Sequence, residues 1–176
     1  IYNDVNLFFQ DESRFGLFTR NGKSLTAKGI KPICPFHQVY KTLYLFGAFS
    51  PITGDRFLLE MPQCNADTFQ LFINEFARQY EHQFNIMVLD NGAFHKAKSL
   101  KIPPNMALLF LTPYSPELNP AEKIWQLLKK KFSNKLLKTL DDISDFISEH
   151  SKILVPDRIK ATCNYDYIFS DIIWTT

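Results

Sequence analysis

Four consecutive apolar residues, Ile86-Met87-Val88-Leu89, stop abruptly at Asp90-Asn91-Gly92. Side chains alternate across a strand, so a run that is apolar on both faces suits a strand covered on both sides. That is the situation of a parallel strand inside an α/β sheet. Such a strand needs helices over it and strands beside it, and the flanking sequence supplies both. Upstream, Phe69, Phe72, Ile73, Phe76 and Tyr80 fall at helical spacing, with Asn65 placed to cap the first turn. Downstream, a short helix around Phe94 to Leu100 is expected before Pro103-Pro104 breaks it, and Ala107 to Leu111 reads as another short buried strand.

The N-terminal third has a different period. Val5, Leu7 and Phe9 alternate with Asn6 and Phe8, and Gln10-Asp11-Glu12 is expected to end the run. Gly16 to Arg20 reads as a second strand entering an Asn21-Gly22 hairpin turn, and Tyr40 to Ser50 as a third. Pro51-Ile52-Thr53-Gly54 reads as a turn and Arg56 to Glu60 as a further strand, so this region is expected to be an antiparallel meander.

The clearest helix follows the loop Thr112-Pro113-Tyr114-Ser115-Pro116. Asn119 suits the N-cap and Pro120 the first helical position, while Ala121, Ile124, Trp125, Leu128 and Phe132 make one apolar stripe. Trp125 reads as core. A second helix is expected from about Thr139 to His150, and Tyr165-Asp166-Tyr167-Ile168-Phe169 could be a strand or a docking segment. Strands first, then alternating helices and strands, indicate one α/β domain with a mixed sheet.

The chain has 176 residues, 45% hydrophobic and 15% aromatic, with 17 Phe. That is enough apolar material for a core and excludes disorder as the dominant state. No apolar run approaches the roughly 18–20 residues of a membrane span, and no basic-then-apolar leader opens the chain. Three separated cysteines argue for a reducing compartment such as the cytoplasm. Cys34 and His37 have the spacing of half a zinc site, but no second pair follows. The net charge of +2 hides a local block: Lys123 to Lys138 holds six Lys and no acid, leaving 14 bases against 18 acids elsewhere. Such a block can be a polyanion contact or a solvated helix face.

Three acids occupy positions where chemistry could be done. Asp11 is in phase with Val5, Leu7 and Phe9, and Asp90 is in phase with Ile86 and Val88, each at the expected end of a strand, where ligand sites of open α/β sheets gather. Glu122 lies in the first turn of the Pro120 helix. Each has a plainer reading: a strand-ending turn residue, the Asx residue of a tight turn, and the partner of Asn119 in a capping box. Periodicity alone does not bring the three together.

Three blocks of text bear on the choice: Phe9-Gln10-Asp11-Glu12-Ser13-Arg14-Phe15, Leu89-Asp90-Asn91-Gly92-Ala93-Phe94-His95-Lys96, and Pro113-Tyr114-Ser115-Pro116-Glu117-Leu118-Asn119-Pro120-Ala121-Glu122-Lys123-Ile124-Trp125. Together they resemble the catalytic blocks of the mariner-like superfamily of DDE transposases, in particular its bacterial insertion-sequence branch. The third block is long and specific, and the resemblance spans Asp11 to about Lys138. It implies a ribonuclease-H-like fold, with Asp11, Asp90 and Glu122 as catalytic and metal-binding residues. The 31 residues between Asp90 and Glu122 are slightly fewer than the family's spacing, a shortening that falls at Pro103-Pro104. Helix-turn-helix DNA-binding domains stand upstream in the family, so residues 1–176 are expected to be a single catalytic domain without them.

The implied activity is metal-dependent cleavage of DNA at transposon ends, followed by strand transfer through 3′-hydroxyl attack. Two Mg²⁺ (or Mn²⁺) ions would be held by carboxylate oxygens. Double-stranded DNA is the implied partner, and a homodimer bridging two DNA ends is the family's habit. Lys129 lies seven residues beyond Glu122, and with Lys130 and Lys131 it could hold phosphates. His95 could touch DNA, support a carboxylate or be an ordinary helix-surface histidine, while Glu12 and Glu117 are expected not to be ligands. The same fold also serves ribonuclease H and resolvase chemistry, and a non-catalytic DNA-binding relic is the reading from another class.

Overall fold

The computed structural model describes residues 2, 4–18, 26–30, 38–113 and 115–169. Five strands form one mixed sheet in the order β3-β2-β1-β4-β5. They are β1 (Val5–Gly16), β2 (Thr42–Phe49), β3 (Arg56–Met61), β4 (Phe84–Leu89) and β5 (Met106–Phe110). β1, β2 and β3 are antiparallel neighbours, while β4 runs parallel to β1 and β5 parallel to β4. The meander and the buried parallel strand therefore meet on β1, which is central and carries five successive buried residues, Asn6 to Gln10.

Helix α1 (Ala66–Gln79) covers one face. Its first turn is closed by a capping box in which Asn65 accepts from the Thr68 backbone and the Thr68 hydroxyl accepts from the Asn65 backbone. Its Phe69, Phe72, Ile73 and Phe76 meet Phe8, Phe46, Met87 and Leu89 of the sheet. Helices α2 (Ala121–Phe132), α3 (Leu140–Ser151) and α4 (Pro156–Thr162) cover the other face, packing Ile124, Trp125, Leu128, Ile143 and Ile159 against Phe15, Leu45 and Phe49. The short α5 (Asp166–Phe169) docks Ile168 on Leu7, Phe9 and Val88, so of the two readings of Tyr165 to Phe169 the docking segment holds. Each fully buried side chain of this size contributes about 1.5–3 kcal/mol, and the two main clusters clamp the sheet from both sides. Among the described residues no helix is long and apolar enough to cross a membrane.

Four local expectations change. Gly16 closes β1 and does not open a second strand; Leu17 and Phe18 form a bend, and positions 19 and 20 lie outside the described residues. β1 does not end at Gln10-Asp11-Glu12; it continues to Gly16, because β2 offers an unbroken ladder from Phe9↔Phe49 to Gly16↔Thr42. Ladder and burial outweigh the weak strand preference of these polar residues. The Asn21-Gly22 turn and the Cys34–His37 pair lie outside the described residues. The helix after Asp90 is only a 3-10 turn, Ala93–Lys96, and the chain leaves it in extended conformation at Ala97. Finally, α2 begins one residue later than expected, although Pro120 has helical dihedrals and the Asn119 side chain accepts from Ala121 N at 3.1 Å, as a cap does.

Candidate active site

Pairing of β1 with β4 stops at Phe9↔Val88, while β1 continues beside β2 alone. Asp11 and Asp90 both lie two residues past that last pair, in phase with Phe9 and Val88. Asp11 is thus not a strand end; it is a mid-strand residue at the point where its parallel neighbour has departed. The gap left by β4 is taken by the start of α2. There Asn119, buried, donates from Nδ2 to the Gln10 carbonyl at 2.9 Å and so fastens the helix to the open edge of β1. Glu122 enters on the first turn of α2, where the helix dipole favours a negative charge.

Asp11, Asp90 and Glu122 consequently line one cleft of about 330 Å³, with Asn91, Gly92 and Asn119 among the other walls. Three acids from three separate elements share a partly shielded space, and the strain shows on the most enclosed of them. Burial, then the charges of Glu12, Glu122 and Asp90, push the Asp11 carboxyl up from 3.8 to about 7. Among the described residues no group of three or more His, Cys, Asp or Glu side chains is already arranged to hold a metal ion. The carboxylates of Asp11 and Asp90 are turned toward protein donors instead.

Of those donors the sequence pointed only to His95; Trp125 read as core, and Gln10 and the Gly92 backbone carried no signal. Trp125 Nε1 donates to Asp11 Oδ2 at 2.9 Å, so this buried residue is both core and support. The indole can lie there because Gly47 faces Asp11 across the ladder: a Cβ on Gly47 would meet Trp125 Cη2 at 2.6 Å. Asp90 Oδ1 accepts from Gly92 N at 2.8 Å and lies 2.8 Å from His95 Nδ1. His95 Nε2 lies 3.0 Å from Glu12 Oε1, and Gln10 Nε2 donates to the same oxygen at 2.7 Å.

His95 is only 2% exposed, its ring packs against Phe69 and its nitrogens face Asp90 and Glu12, so it is no surface histidine and this placement fits support of a carboxylate over contact with DNA. Burial would lower its pKa, but the hydrogen bonds and charges of Glu12 and Asp90 outweigh that and raise it. Glu12 supports the imidazole, and Glu117 is exposed outside the cleft walls. Cys64 feels the charges of the same acids; burial, then those charges, push its thiol up to about 11, so it is no thiolate at neutral pH.

The lysines fall elsewhere. Lys130 and Lys131 are exposed on the last turn of α2. Lys129 lines a second cleft, beyond the acids, between the far end of β1 and the end of α2.

This architecture is shared. The Mos1 transposase paired-end complex with left transposon end superposes with a TM-score of 0.68 at 15% identity, covering 90% of this chain and 51% of that one. A simian T-cell lymphotropic virus intasome, in complex with the PP2A regulatory subunit B56 gamma, reaches 0.51 at 12% identity, over 85% of this chain and 47% of that one. At such identities the likeness is one of fold, and the fold is ribonuclease-H-like. The chain spans about half the length of the Mos1 chains it matches. In sequence, the uncharacterized protein y4pE/y4sA of Sinorhizobium fredii (strain NBRC 101917 / NGR234) is 37% identical over 102 residues, 57% of this chain and 76% of that protein. The profile of the DDE superfamily endonucleases matches residues 6–144, which include all three cleft acids, and the chain therefore belongs to that superfamily.

Proposed function

We propose that this chain is the catalytic domain of a DNA transposase of the bacterial insertion-sequence type. It would cut phosphodiester bonds at the ends of a mobile element and join the resulting 3′-hydroxyl ends to target DNA. The observation that carries this reading is the convergence of Asp11, Asp90 and Glu122 on one cleft in a DDE superfamily endonuclease. Mos1 complexes, one with Mn and another with Mg, have the same fold, which supports a divalent ion here.

The donor set fits such an ion. It offers hard carboxylate oxygens, as Mg²⁺ and Mn²⁺ prefer, and the nearby thiol stays protonated. A cation would also relieve the crowding that lifts Asp11. Asp11, Asp90 and Glu122 would hold two ions. When bound, these supply activation of the attacking water and charge neutralisation at the leaving 3′ oxygen.

The remaining work belongs to the protein. Trp125 holds one oxygen of Asp11, His95 and Gly92 N hold one oxygen of Asp90, and Asn119 fastens the helix that carries Glu122. Lys129, Lys130 and Lys131 would bind phosphates, each steepening the salt dependence of DNA affinity by about one unit of slope. Two copies would bridge two DNA ends.

The test is a nicking and joining assay on DNA carrying element ends, using Asp90→Asn. Nicking in Mg²⁺ should disappear while the melting curve of the folded chain persists. Unaltered nicking would exclude the carboxylate site, and cleavage confined to the RNA strand of hybrids would assign the ribonuclease H reading instead.

A further inference from the structure

Glu122 sits on the first turn of α2, the part of a helix least held by its own hydrogen bonds and the first to fray. A loop and a 3-10 turn, Pro116–Leu118, precede it. Asn119 caps this first turn and ties it to β1. Further ties come from the far end of the chain.

Three tail residues at alternate positions reach the same turn. Cys163, buried at the end of α4, points its Sγ at the Pro120 carbonyl, 4.0 Å away. The Tyr165 ring lies beneath Lys123, whose Nζ is 4.1 Å from the ring centroid. Tyr167 donates its hydroxyl to the Leu118 carbonyl. Burial, then the neighbouring Tyr165 and Cys163, push the Tyr167 hydroxyl up to about 12, so it keeps the donated proton through the neutral range. The two carbonyls flank Asn119, and Lys123 follows Glu122.

The footing of these ties is the sheet itself. Ile168, next to Tyr167, is buried against Leu7, Phe9 and Val88. Phe9 and Val88 precede Asp11 and Asp90 by two residues and are in phase with them. Tyr165 and Tyr167 pack on the same cluster, as does Leu111, a wall of the acid cleft. One short segment therefore touches the strands that lead to both aspartates and the turn that carries the glutamate.

We infer that the tail from Cys163 to Ile168 is a brace for the acid cleft, with Tyr167 as its positioning residue. Footed on Phe9 and Val88, it holds the first turn of α2 by the Leu118 carbonyl and so fixes Glu122 relative to Asp11 and Asp90. The inference rests on the transposase reading for the task of Glu122, and it gives the tail a part in that task.

The experiment uses the full chain and two measurements. Hydrogen exchange without metal reports the turn directly, because the amides of Glu122 and Lys123 donate to the Asn119 and Pro120 carbonyls. Calorimetric titration with Mn²⁺ reports the cleft. Tyr167→Phe keeps the ring and removes only the donor. It should speed exchange at Glu122 and Lys123 by roughly three- to tenfold, the scale of one net hydrogen bond, and spare α1 and α3. Mn²⁺ affinity should fall by a similar factor. Tyr165→Leu removes the ring beneath Lys123 from a half-buried position and should act in the same direction. Melting curves recorded in parallel establish that both variants fold.

Exchange unaltered in both variants, or quickened equally throughout α1 and α3, would overturn the brace and leave the transposase reading in place. Mn²⁺ affinity unaltered beside a loosened turn would do the same. An unsubstituted chain that takes up no Mn²⁺ would instead overturn the metal site, and the exchange result would then decide the brace by itself.

Discussion

Asp11 and Gly47 face each other across the β1–β2 ladder, and the indole of Trp125 lies against the glycine with its Nε1 on the aspartate. The missing side chain at position 47 is what lets the core reach the carboxylate. Gly47→Ala should therefore force the ring aside, costing about 1–3 kcal/mol of stability, as overpacking of a filled core does. Trp125→Phe should cost less, because the aromatic volume largely remains and only the hydrogen bond goes. Both should depress metal-dependent nicking more than global stability accounts for. Denaturant melts beside nicking rates provide the comparison.

The raised carboxyl of Asp11 sets a pH dependence whose sign can be worked out. Unfolded, the group titrates near 3.8; folded, it titrates near 7. Between those values the native state holds the extra proton, so metal-free stability falls as pH rises through that window and levels off above it. The full shift would correspond to about 4 kcal/mol, and solvent in the cleft should reduce that to about 1–3 kcal/mol. Asp11→Asn should flatten the profile and melt higher than the parent at about pH 8. A parent profile that rises from about pH 5 to about pH 8 would contradict the shift.

His95 joins Asp90 to Glu12 from a buried position, holding one side of the cleft without lining it. His95→Ala should leave Asp90 free to rotate and weaken Mn²⁺ binding by about 10–100-fold, the usual scale for groups that orient a metal ligand. It should also cost about 1–3 kcal/mol, since Glu12 loses a partner in a place with little water. Calorimetric titration with Mn²⁺ measures the first effect and thermal melting the second. An unaltered affinity would mean that Gly92 N alone orients Asp90.

Asn119 makes two bonds at one junction, to Gln10 O and from Ala121 N. Asn119→Ala removes both the tie to β1 and a helix cap, for about 1–3 kcal/mol in total. Asn119→Asp keeps the cap and loses the tie, so it should recover part of the stability but not the seating of Glu122. Hydrogen exchange across the first turn of α2 should separate the two, with faster exchange in both variants at Glu122 and Lys123.

Much of the fold was legible because local chemistry and the global solution agree. The doubly apolar Ile86–Leu89 could only be buried on two faces, and β4 is. The 3.6-residue stripe from Phe69 to Phe76, opened by Asn65, became α1 with the expected cap. Where neighbours override local preference, reading failed. Gln10-Asp11-Glu12 looks like a break, yet β2 carries it through as strand.

The same division holds for the site. The sequence alone determined which acids stand at a turn after a buried strand and in the first turn of a helix, because periodicity and capping are local. That Asp11 lies beside Asp90 was decided by the β1–β4 register, which sets residues 79 apart side by side and then ends at Phe9↔Val88. That Trp125, Gly47, Glu12 and Asn119 serve those acids, and which of its readings His95 takes, was decided only by the packing of α2 and the 3-10 turn against β1. Hydrogen bonds spanning 83 and 114 residues leave no periodic trace in the chain that makes them.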